Sequence, residues 1–205
     1  MKRRLLWLVS GALALLIAVA LCGLIFLKTA SNGFSARAAP SLLEQFAARR
    51  ARGMAMPNSA RDRRNPIANS SDVLQGAMAH WADHCATCHG NDGSGNVEMG
   101  RQMYPPAPDM RKQATQDLSD GELFYIIENG IRLSGMPAWG GSKKGEDDSW
   151  KLVHFIRHLP SLSDAEISEM EKMNPKTPED MEQELQEQQF LNGATPKEQT
   201  SQHKH

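Results

Sequence analysis

Cysteine is scarce in this 205-residue chain: there are three, Cys22, Cys85 and Cys88. Cys22 sits inside an apolar run, so a zinc site, which takes four thiol or imidazole ligands at short spacing, is short of donors. The formal net charge is −1, and no excess of either sign points to nucleic acid. No strand pattern flanks the Cys85/Cys88 pair, which argues against the βαβ setting of a redox dithiol. No internal repeat is detectable. The length leaves room for one modest domain with appendages.

What is present is the run Cys85-Ala86-Thr87-Cys88-His89. Cys-x-x-Cys-His is a haem-attachment signature: two thiols can add across the vinyl groups of one porphyrin, and the adjacent imidazole then lies beneath the iron. The absence of a repeat means one such cofactor, a single haem c.

Residues 5–27 carry no charge and are apolar or small, long enough as a helix to cross a bilayer. Lys2, Arg3 and Arg4 precede this stretch and Lys28 follows it, a bias that keeps residues 1–4 in the cytoplasm and exports the rest. A cleaved leader is the competing reading, with Ala36-Arg37-Ala38 as its small-x-small site, but the apolar run is much longer than an ordinary leader core. A lipoprotein site at Cys22 is weak because Leu21 is bulky. Haem is joined to thiols outside the bacterial inner membrane, so anchor and motif predict one compartment: a single-pass inner-membrane protein with its haem domain in the periplasm.

Residues 28–70 read as a basic flexible linker, with Arg49, Arg50, Arg52, Arg61, Arg63 and Arg64 nearly unopposed and a short helix predicted over 41–52. Ser71 can cap a helix through Val73, Leu74, Ala77, Met78 and Trp81 into the cysteine motif. Loops follow through Gly90–Gly95 and Pro105–Pro108. The capping box Ser119–Glu122 opens a second helix that buries Leu123, Ile126 and Ile127 and stops at Gly130. A third covers about 147–159, with Trp150, Leu152, Val153, Phe155, Ile156 and Leu159 as a wide apolar face. The compact domain is thus 71–162. Residues 163–205 hold ten acids against four lysines and read as an acidic polar tail, solvated more readily than docked, in which Ser163–Glu166 and Thr177–Asp180 can start helices. His203 and His205 close the chain without an assigned role.

On CATCHG, GMPAWG and WKLVHFIRHLP, residues 71 to about 160 resemble a class I c-type cytochrome domain. The resemblance implies an all-α cytochrome c fold, about three main helices wrapped round a covalent haem, added here to one N-terminal transmembrane helix. It also implies that Ala77 and Trp81 on the first helix face Leu152 and Phe155 on the last. Cys85 and Cys88 would hold the haem, and His89 and Met136 would be the axial iron ligands. Rivals for the sixth position are Met99, Met103, Met110, His154 and His158; Met136 differs from them in lying within a tight Gly-x-Pro turn beside Trp139. Arg132 and Trp139 are candidates for propionate contacts, and a carbonyl of the Pro105–Pro108 loop for the acceptor of the His89 ring N–H.

With both axial positions filled, no catalytic residue is implied, and the function implied is single-electron carriage between redox proteins, with a respiratory complex as a candidate partner. The alternatives are a haem enzyme or gas or redox sensor in which Met136 dissociates, and a docked haem subunit of a larger oxidoreductase.

Overall fold

The computed structural model describes residues 2–29, 35–141 and 143–191. Met1, part of the linker (30–34) and the last fourteen positions, including His203 and His205, lie outside the described residues. In chain order the helices are α1 (Lys2–Thr29), α2 (Leu42–Ala55), α3 (Asn58–Arg61), α4 (Ser71–His80), α5 (Ala86–His89), α6 (Glu98–Gln102), α7 (Gln113–Gln116), α8 (Asp120–Asn129), α9 (Lys143–His158), α10 (Asp164–Glu171) and α11 (Pro178–Leu191). A π-helical turn, Trp81–Cys85, joins α4 to α5. No strand occurs among the described residues, and the fold is all-α, as expected.

The core forms where α4, α8 and α9 meet. Ser70, one residue earlier than predicted, caps α4 by accepting from Val73 N. Ala77 and Trp81 are buried against α9, and the Trp81 and Phe155 rings approach to 5.3 Å. Gly76 meets nothing on its outer side, so Ala77 supplies the small residue of the helix crossing. The α8 capping box forms in full. Phe124, absent from the predicted core, is buried and stacks on Trp150 at 4.0 Å, whereas Ile126 is only half-buried. All six predicted apolar residues of the last helix are buried. Arg157 reaches back from α9 to the Gln116 carbonyl (2.6 Å), the Leu118 carbonyl and Asp120, fastening the α7–α8 corner.

Two segments expected to be solvated are packed instead. Downstream of α2, the linker lies on α8 and α9: Met56 and Ala60 are buried, Ser119 donates to the Arg61 carbonyl (3.0 Å), Asn65 donates to the Trp150 carbonyl (2.8 Å), and the Arg63 guanidinium lies 4.3 Å from the Phe124 ring centre. After Ser163 the acidic sequence turns back as α10, and its Met170 is completely buried in the core. Apolar residues among the arginines and glutamates drive both packings, and their burial outweighs the local polarity.

α1 is 28 residues long with every described side chain exposed, and at about 1.5 Å per residue it exceeds the thickness of a bilayer's hydrocarbon core.

Candidate haem site

The Cys85–His89 run is delivered by the π turn and the single turn α5. In the π turn Ala86 N–H reaches the Trp81 carbonyl rather than that of Ala82, which widens the helix by one residue before the motif. Asn174, with its amide nitrogen turned to donate, serves the Ala82 carbonyl at 3.1 Å and Asn91 Oδ1 at 2.9 Å. The residues after α10 therefore brace the turn that carries the first cysteine.

Both thiols of the motif are free, and each is partly buried. Cys85 packs against the core, and its pKa is pushed up to about 12, chiefly by burial and then by the proximity of Cys88. Burial also raises that of Cys88. His89 is held beneath the core: Trp81 lies with its ring centre 5.7 Å from the imidazole and donates its indole N–H to the Gly90 carbonyl at 3.0 Å. Burial lowers the His89 pKa, favouring the neutral ring that binds metals.

The loop after the motif folds tightly onto it. Gly95 N–H bonds the His89 carbonyl at 2.7 Å, and a side chain at Gly100 would overlap the Cys88 carbonyl. Gly95 has φ +71° with the Ala107 carbonyl directly against it, a backbone that L residues rarely adopt. This arrangement corrects one expectation: His89 Nδ1 is buried with no partner, and no carbonyl of the Pro105–Pro108 loop accepts from it. The Ala107 carbonyl is turned to Gly95 instead.

Met136 lies half-buried in the turn after α8, where its carbonyl accepts from Ile131 N (3.1 Å) and its N–H donates to Ser134 Oγ (3.2 Å). Gly130, at φ +65°, lets the chain cross close to Met136 and Pro137. Trp139 N donates to the Ile127 carbonyl at 3.0 Å, and the Trp139 indole stacks on His84 at 5.6 Å. That stack joins the distal turn to the helix carrying Cys85. Nothing in the sequence marked His84 for this, and stacking across 55 positions has no local signature. Arg132 is exposed on the same turn.

Of the rival ligands, four are hydrogen-bonded elsewhere, packed on the core or exposed, and the fifth, Met103, lies beside Met136. His154 Nε2 pairs with the Ile67 carbonyl (2.8 Å) and His158 Nε2 with Glu166 (2.8 Å), Met110 packs on the core, and Met99 is exposed. The Met103 thioether packs directly against Gly135, beside Met136.

A haem fits this donor set. Burial favours the neutral form of the His89 imidazole, and two free thiols stand one helical turn apart beside it.

Comparison with known proteins agrees. Residues 72–156 match the family described as cytochrome C oxidase, cbb3-type, subunit III. No curated protein matches the chain. The match begins within α4 and ends within α9, so it contains the cysteine motif, the loop beneath it and the Met136 turn, and leaves out the packed linker and α10. Residues 72–156 are a class I c-type cytochrome domain, a domain that binds one haem c covalently and transfers electrons through it.

Proposed function

We propose that the chain is a membrane-anchored electron carrier that works on the outer face of a bacterial inner membrane. The anchor reading rests on α1 and on the cluster Lys2, Arg3 and Arg4 before it. Cys85 and Cys88 would hold a haem through two thioether links, and His89 and Met136 would hold its iron. When bound, the haem supplies a reversible one-electron couple.

The chain's own residues define how that couple is used. His89 is fixed by Trp81 above it and by the Gly95 contact below. The Met136 turn is fixed by Gly130 and by the Trp139–His84 stack. A thioether donor favours the reduced metal relative to a second imidazole. With His89 and Met136 both holding the iron, a bound haem would offer a substrate no open site, and no acid–base pair lies in the Met136 turn to assist bond cleavage. Electron transfer to and from protein partners is the activity that remains.

The observation that carries this reading is the Cys85–His89 run held on a helical turn, with both thiols free and burial favouring the neutral imidazole. Full-length protein matured with a working haem-attachment apparatus tests it. A pyridine haemochrome should report one haem that acid–acetone does not extract, and Cys85→Ser with Cys88→Ser should abolish it. The ferric protein should show the long-wavelength band of methionine-ligated iron, lost in Met136→Leu and kept in Met103→Leu. Prompt carbon monoxide binding by the reduced protein would instead indicate an enzyme or sensor.

The description of the matched family favours a second reading, in which the domain is a fixed haem subunit of a larger oxidase. Recovery of an oxidase with the intact, mildly solubilised protein supports that reading, and recovery of the carrier alone opposes it.

A further inference from the structure

α2 exposes an apolar arc. Leu42, Leu43, Phe46 and Met54 are 85, 77, 57 and 81% exposed. At about 100° per residue these four fall within roughly a third of the helix circumference. Arg49 borders the arc, and Arg50 lies within it, its guanidinium 5.3 Å from the Phe46 ring centre. Such an arginine can carry its charge outward along an apolar surface. The opposite side of α2 is already engaged: Tyr104 hydroxyl donates to Glu44, and Gln45 and Arg52 are half-buried. At the end of the helix Arg61 donates to the Gly53 carbonyl, which fastens the last turn to the domain. The exposed arc is thus presented by the domain rather than left over from a free strand of linker.

Twelve residues separate the end of α1 from the start of α2. Even fully extended they span about 40 Å, so α2 stays within that distance of the bilayer surface where α1 emerges. An apolar arc with arginines and a tethered position beside a membrane match one surface in chemistry: an acyl–head-group boundary carrying anionic lipid.

We propose that α2 lies in the head-group layer of an anionic bilayer, with Leu42, Leu43, Phe46 and Met54 turned into it and Arg49 and Arg50 on lipid phosphates. This holds the cytochrome domain against the membrane through its Tyr104 and Gly53 contacts. The inference rests on the reading of α1 as a membrane anchor.

The test uses the full-length holoprotein in nanodiscs of phosphatidylcholine with or without phosphatidylglycerol, read by amide hydrogen exchange, with carbonate extraction of the same protein from membranes run in parallel. Residues 42–55 should exchange about tenfold more slowly in the anionic discs than in the neutral ones. Leu42→Ser with Leu43→Ser and Phe46→Ser should remove that protection while residues 71–161 stay unchanged. Arg49→Gln with Arg50→Gln, which leaves the apolar arc in place, should remove the dependence on phosphatidylglycerol. Equal exchange in both discs and in detergent overturns the proposal, as does protection that appears only when a partner protein is added. Release by carbonate would defeat the anchor reading and this inference together, whereas retention with an unprotected α2 defeats this inference alone.

Discussion

Gly121 and Gly76 are both helical glycines with opposite surroundings, and they give a matched pair of predictions. A methyl group on Gly121 would overlap the Ala60 carbonyl oxygen and come within 2.8 Å of that of Arg63. Gly121→Ala should therefore lift the 57–64 segment from α8 at a cost of about 1–3 kcal/mol. A lower urea midpoint and faster tryptic cleavage at Arg61, Arg63 and Arg64 would show it. Gly76→Ala meets open space and should stabilise by about 0.5–1 kcal/mol, seen as a higher midpoint in the same titration. Glu166 gives a pH signature. Hydrogen bonds from the Ser163 hydroxyl (2.6 Å) and backbone N–H (2.8 Å), with a smaller part from His158, hold its carboxyl at about 2. A folded pKa below the ordinary value of 4.5 contributes stability that is present above that value and is lost as pH falls toward 2. Glu166→Gln should lose about 1 kcal/mol near neutral pH and show a flatter stability profile between those two limits, measured by urea titration across pH.

At the scale of elements, what could be read from sequence was what is decided within a few residues. The Ser119–Glu122 and Ser163–Glu166 boxes each need four positions, and both form as written. The α9 stripe repeats strongly enough to name all the apolar residues it buries. Three features lacked such a signal. The π turn at Trp81–Cys85 leaves the Ala82 carbonyl to be met by the Asn174 amide, from a distant part of the chain. The burial of Ala60 depends on a glycine in α8. α10 places Met170 in the core from a sequence that is otherwise acidic, and one methionine carries no periodicity. The Cys85–His89 run stands out in the sequence because its five positions are contiguous, whereas the expected partner of His89 Nδ1 depended on which way a loop carbonyl turns. Met170→Ala tests the importance of α10. It should cost about 2–5 kcal/mol, read as a shifted urea midpoint, because the surrounding helices cannot fully close the space.

Over the whole molecule, the cytochrome domain recognised by family comparison is smaller than the unit that folds. Residues before it cover Phe124 and Trp150 through Arg63 and Asn65, and residues after it fill the core with Met170 and reach the turn that carries Cys85 through Asn174. A piece cut at 72 and 156 should melt well below one spanning 57–174 and expose dye-binding apolar surface, and equal melting of the two in differential scanning calorimetry would refute this. The brace at Ala82 has its own outcome for manufacture of the pigment. Its donor, Asn174, is made well after Cys85 and Cys88, so in a polypeptide growing from its N-terminus both thiols exist before the residue that braces the turn beside them, and that stretch stays open until the closing segment arrives.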